Sequence, residues 1–199
     1  MISCDKMKRT VFLLITLAYV CIALCGCNNL KAEDTRNIDR SEERLEISFR
    51  FHRRGIASGQ YAIWIEDSTG RLVRTIYATL FTVKGGYQYR KDAIPLWVSK
   101  SKLQTMSSAQ VDAITGATPQ NGVLTYQWNG TDDKGKRVPS GNYKFFVEGS
   151  MYWESRVVYS GDLIWGYKEH DSISIEKHLF NSSRINKNMI TELKAYHIK

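Results

Sequence analysis

The sequence predicts an all-β fold, a β-sandwich interrupted by one short helix. Three observations predict it. Short runs alternate apolar and polar residues with a period of two, which lays one face of each run on a core. Clusters of Gly, Asn, Asp and Ser separate these runs, and such clusters are the chemistry of tight turns. The composition, 43% hydrophobic and 12% aromatic with only 3 Pro in 199 residues, supplies one domain with a core. It excludes a disordered tail, a collagen-like repeat and a multi-span membrane protein.

Residues 1–26 read as an export signal. Met7-Lys8-Arg9-Thr10 is a basic start, and Val11 to Leu24 is an apolar run too short to cross a bilayer core of about 30 Å as a finished helix. Leu24-Cys25-Gly26-Cys27 resembles the lipobox of bacterial lipoproteins. That resemblance implies acylation of Cys27, which becomes the mature N-terminus held in membrane lipid at the periplasmic face or the cell surface of a bacterial envelope. The alternative is an ordinary cleaved signal. Removal of residues 1–26 leaves 25 basic and 19 acidic residues and a single cysteine, so no disulfide forms and the domain rests on its own core. Residues 27–44 are polar without apolar period, a flexible tether, and the folded domain is expected over residues 45–199.

Within that domain Leu45, Ile47, Phe49 and Phe51 alternate with Glu46, Ser48, Arg50 and His52, a first strand. Gln60 to Glu66 gives a second, and Asp67-Ser68-Thr69-Gly70 is a turn that returns Leu72 to Val83 as a third, completing a hairpin. After Gly85-Gly86, the stretch Arg90 to Lys102 carries Ile94, Trp97 and Val98 at helical spacing with Pro95 near its start, a short helix docking an aromatic on the sandwich edge. Gln104 to Gln110 reads as a polar loop and Val111 to Thr118 as a bend. Further strands are expected at Val123–Trp128, Tyr143–Glu148, Arg156–Ser160, Ser172–Phe180 and Met189–Ile198, the last two as a hairpin.

The stretch from Trp128-Asn129-Gly130-Thr131-Asp132-Asp133-Lys134-Gly135 to Val138-Pro139-Ser140-Gly141-Asn142-Tyr143 ends one strand, makes two turns and starts another. It resembles the signature of the immunoglobulin-like domain of flagellar hook-capping proteins. The resemblance implies an immunoglobulin-like sandwich in which these positions are structural. Asp132 and Asp133 lack the alternating ligands and later Glu of a calcium loop, so no metal is expected there.

Asp112-Ala113-Ile114-Thr115-Gly116-Ala117-Thr118 has a plain reading as a small-residue bend, with Pro119 keeping Thr118 extended. It also resembles the acceptor motif for covalent flavinylation, Asp-x-x-Thr-Gly-Ala-Thr. The resemblance implies that a flavin transferase joins FMN by a phosphoester to Thr118, that Gly116 and Ala117 let the enzyme approach, and that Asp112 orients the segment, with Thr115 a further position of the cofactor-binding motif. Trp64, Trp97, Tyr126 and Trp128 are candidates either to pack on an isoalloxazine ring or to fill the core.

Tyr61-Ala62-Ile63-Trp64-Ile65-Glu66-Asp67, Leu96-Trp97 and Tyr126-x-Trp128 occur in an order similar to a family of predicted periplasmic proteins of unknown function, DUF2271, from about Gln60 to Gly161. That likeness implies an association with extracytoplasmic flavin and redox systems and an envelope redox partner.

Other chemistries find no support. The His residues lack zinc spacing, and no nucleophile elbow, phosphate loop or dinucleotide fingerprint occurs. The basic excess is spread singly, unlike a nucleic-acid footprint. Two readings therefore stand. One is a lipid-anchored module carrying FMN on Thr118 and relaying electrons, without catalytic residues of its own. The other is a cofactor-free lipoprotein that binds an envelope protein or a glycan.

Overall fold

In a computed structural model the described residues are 43–53, 59–116, 119–151, 156–167, 171–180 and 189–199. The export signal, Cys27, residues 28–42 of the tether, Ala117 and Thr118 lie outside them.

Nine strands form two antiparallel sheets among the described residues: β1 Arg44–Phe51, β2 Gln60–Asp67, β3 Leu72–Ala78, β4 Gly122–Trp128, β5 Gly141–Ser150, β6 Arg156–Trp165, β7 Asp171–Ser172, β8 Glu176–Phe180 and β9 Ile190–Ile198. One sheet has the order β4-β1-β9-β7 and the other β3-β2-β5-β6-β8. The inner faces meet in one core, with Leu45, Ile47, Phe49 and Phe51 of β1 against Tyr61, Ile63 and Ile65 of β2 and Phe145 and Val147 of β5. The alternation in β1 thus reports its packing directly: its apolar residues are buried and Glu46, Ser48 and Arg50 are not.

The connections confirm the immunoglobulin-like reading. β1 sits between β4 and β9, the β2–β3 and β5–β6 hairpins lie in the opposite sheet, and β2 pairs with β5. This is the arrangement of strands B, C, C′, E, F and G, with the C-terminal β9 in the place of strand A. The Tyr143 hydroxyl donates to the Pro139 carbonyl at 2.8 Å, the tyrosine corner that locks the turn into strand F of such sandwiches.

The insertion between β3 and β4 is larger than expected and lies elsewhere. The predicted third strand stops at Ala78 rather than Val83. The buried Gln60 amide oxygen accepts from Thr79 and Thr82 hydroxyls at 2.6 and 2.9 Å and draws the chain off the sheet into helical turns over residues 80–89, broken at Gly85 with φ 95°. A helix, α1, spans Pro95–Ser101, shorter than the predicted Arg90–Lys102. The predicted polar loop and bend contain a single helical turn at Leu103–Thr105 and a second helix, α2, at Ser108–Ile114. These pieces cover the outer face of the β2-containing sheet, not its edge. Ala62 and Trp64, the alternate residues of β2, pack there with Val83, Ile94, Trp97, Leu103 and Ile114 in a second core. This is why β2 is buried on both faces from Gln60 to Glu66.

The C-terminal run also departs from expectation. Ser172–Phe180 is two strands in different sheets, β7 on β9 and β8 on β6, so no terminal hairpin forms. The cause is the crossing at Ile173, whose N–H donates to Ala195 at 3.0 Å before the chain passes to the other layer.

Candidate functional site

The motif Asp112 to Thr118 begins on α2. Ser107 caps that helix: its hydroxyl accepts from the Gln110 N–H at 3.3 Å, and the Gln110 side chain accepts from the Ser107 N–H at 2.9 Å, a reciprocal capping box. Ile114 anchors the last turn in the second core, leaving Asp112 exposed. At Thr115 the backbone turns extended, with φ −113° and ψ 157°, and its hydroxyl donates to the Val111 carbonyl at 2.9 Å. One carbonyl left open by the helix end is thereby satisfied.

Gly116 follows, exposed, and a Cβ built on it would meet the Tyr77 ring at 3.5 Å. The described chain resumes at Pro119, and the Asn121 side chain accepts from the Arg53 N–H before β4 begins. Asp112 on α2 and Thr115 and Gly116 just past its end are thus brought to one stretch of surface before β4. Ala117 and Thr118 are outside the described residues.

Beneath Gly116 lies a group of tyrosines that alternation in β2, β3 and β4 brings together. Tyr77 stacks on Tyr61 at 4.8 Å between centroids and contacts Tyr126 at 5.3 Å. The Tyr61 and Tyr126 hydroxyls are 2.6 Å apart. The buried Tyr77 hydroxyl has no hydrogen-bond partner among the described residues. Burial raises the pKa of all three, pushing Tyr126 up to about 12 and Tyr61 higher still, where its neighbours add to the effect. All three are neutral phenols at physiological pH. A cleft of about 110 Å³ opens beside Tyr77, with Phe51 on one side and the half-exposed Leu80 and Phe81 on the other.

The family model described as a predicted periplasmic protein, DUF2271, matches residues 43–178. The chain belongs to that family. The match is wider than the stretch read from the sequence: it takes in β1 to β7, the start of β8 and the helical insertion, and leaves β9 outside. No curated protein and no solved structure matches.

In this DUF2271 protein, three of the four aromatics singled out from the sequence are core. Trp64 stacks on Phe146 at 5.0 Å under the helices. Trp97 is fully buried, its indole N–H donating to Thr75 at 3.2 Å. Trp128 packs on Trp165 at 4.5 Å and donates to the Thr131 carbonyl at 2.8 Å. Tyr126 alone of the four belongs to the group beneath the motif. Tyr61 and Tyr77, which complete this group, were not singled out from the sequence; strand parity, which aims both inward, was the available signal.

The carboxylates of the Trp128 to Tyr143 turn serve its shape. Asp132 accepts from the Lys134 and Lys136 N–H groups, each at 2.9 Å, which hold its carboxyl below the usual range. Asp133 accepts from the Thr75 N–H at 3.0 Å, tying the turn to β3. At Gly130, with φ 74°, a Cβ would lie 2.2 Å from the Trp165 ring, so only glycine fits.

Glu148 is fully buried on the outer face of β5. It accepts from the Leu96 and Trp97 N–H groups at 3.2 and 2.9 Å, and Arg156 lies 3.5 Å away. Burial outweighs these contacts and raises its pKa to about 7. It fastens the start of α1 to the sheet. Every polar contact it makes is inside the fold, which identifies an anchor for the insertion and not an acid–base group facing a substrate.

Proposed function

We propose that this protein is an exported, lipid-anchored envelope module that carries FMN in phosphoester linkage on Thr118 and relays electrons outside the cytoplasm. The observation that carries the reading is the setting of the motif's described part. Asp112 and Gly116 are exposed on a surface segment that leaves a capped helix, where a modifying enzyme has access. Membership of a predicted periplasmic family supports the export, and Cys27 supplies the acyl anchor.

The residues present fit a flavin. The Thr115 hydroxyl is engaged by the Val111 carbonyl, which leaves Thr118 as the acceptor in this motif. The Tyr77 ring lies beneath Gly116 and gives the segment an aromatic surface on its buried side. Asp112 makes no ion pair or hydrogen bond among the described residues and is available to orient the segment in the transferase. FMN, when bound, supplies one- and two-electron chemistry. The chain's own residues fix Thr115 at the end of α2 and keep the tyrosines beneath Gly116 neutral.

Co-expression of the full chain with a bacterial flavin transferase tests the reading. The expected product is yellow and heavier by one FMN less one water, and Thr118→Ala removes both signs. An unchanged mass in the presence of an active transferase would refute it.

A further inference from the structure

A second surface, on the open side of the sandwich, is built for a different task. β8 pairs with β6 only from Arg156 to Ser160. From Gly161 to Trp165, β6 keeps β5 as its neighbour on one side, while on the other the chain has left for the opposite sheet. The departure point is close-packed: a Cβ on Gly161 would lie 2.8 Å from Ile173 and 2.9 Å from the Ser174 carbonyl. Beyond it, alternate residues of β6 turn their N–H and C=O groups to a side with no strand partner among the described residues.

That edge is one wall of a groove of about 920 Å³ whose other wall is Asp171 to Ser174, with Tyr167 exposed at one end. A free edge of five residues runs about 16 Å at 3.3 Å per residue. Charge selects the occupant. Asp162, Asp171 and Glu176 are exposed along the groove and its continuation. Lys144 answers two of them, at 3.6 Å from Asp162 and 3.1 Å from Glu176, and Asp171 has no ion pair among the described residues. His197, at the groove floor, is taken up by Glu43 at 2.8 Å. The local balance is acidic on a chain whose formal charge is +8.

We propose that this groove is a strand-addition site that takes an extended, basic peptide segment of a partner protein, pairing its backbone with β6 at residues 161–165 and its cations with Asp162 and Asp171. Main-chain bonds supply affinity in such recognition and the pockets for alternate side chains supply selectivity. The inference is independent of flavin: a chain without the FMN adduct retains the edge.

The probe is a capped seven-residue peptide alternating valine and lysine, with hepta-lysine as the charge-only control, added to the full chain in detergent. Hydrogen exchange read by residue is expected to show amides within 161–165 slowing with the valine–lysine peptide and not with hepta-lysine. Asp162→Asn combined with Asp171→Asn is expected to weaken binding by about fivefold or more without moving the thermal midpoint. The proposal is overturned if those amides do not slow, or if hepta-lysine binds equally well. Protection already present in the free chain would also overturn it, whether lost on deleting residues 28–42, which makes the tether the occupant, or lost on dilution, which makes it a second copy.

Discussion

Glu148 shows how one buried carboxyl sets a pH dependence for the whole domain. Its folded pKa of about 7 lies above the ordinary 4.5, so between these values the folded state holds a proton that the unfolded chain releases. Stability from this group is therefore complete below about pH 4.5 and declines as pH rises through 7, by roughly 3 kcal/mol at most. Denaturant titrations of wild type and Glu148→Gln at pH 5 and pH 8 are expected to show the wild type losing stability relative to the variant at the higher pH. A difference that is flat with pH would contradict the burial argument. Nothing in the sequence marked Glu148, because a single Glu in an alternating strand reads as its solvent face. It faces a helical layer that the local pattern did not announce.

At the scale of elements, α2 and its exit separate structure from modification. Thr115→Val removes the hydroxyl that caps the helix end and is expected to cost about 1 kcal/mol while leaving the FMN adduct in place. Gly116→Ala, where a Cβ meets Tyr77 only at ordinary contact distance, is expected to change stability by less than about 0.5 kcal/mol and to lower the yield of adduct. The pair is checked by thermal denaturation beside intact-mass measurement. If Gly116→Ala is modified as fully as wild type, small size at that position is not what admits the enzyme. The helix itself was written in the sequence as Ser107-Ser108-Ala109-Gln110, a Ser three residues before a Gln, yet polar composition made the stretch read as loop. Strands β1, β4 and the start of β5 were legible because two-residue alternation survives where one face is buried; β2 was legible from its aromatic and β-branched run, and β6 was read only to Ser160 although it runs on to Trp165. β7 and β8 were not told apart, because a crossing between sheets leaves no local periodicity.

At the scale of the molecule, the sandwich and the helical layer share β2, whose odd residues belong to one core and even residues to the other. Side chains from both layers meet through Glu66, which accepts from Trp64 and Lys100, each at 2.7 Å. Unfolding followed by circular dichroism and by tryptophan fluorescence is therefore expected to give one coincident transition; an earlier melt of the helical layer would contradict the shared-strand account. The sandwich was readable from short strands between turns, and its immunoglobulin-like form was implied by the resemblance that the Trp128 to Tyr143 stretch carries. Of the third layer only α1 was legible, through Ile94, Trp97 and Val98 at helical spacing; the turns over residues 80–89 and α2 are too short to show an apolar stripe. The function argued from this frame rests on one hydroxyl.

Tandem mass spectrometry of the tryptic peptide Leu103 to Lys134, taken from chain co-expressed with a flavin transferase, tests that claim most directly, since the peptide carries Thr115 and Thr118 together. The account predicts FMN on Thr118 with Thr115 bare. An adduct on Thr115, or a peptide of unmodified mass, would contradict it.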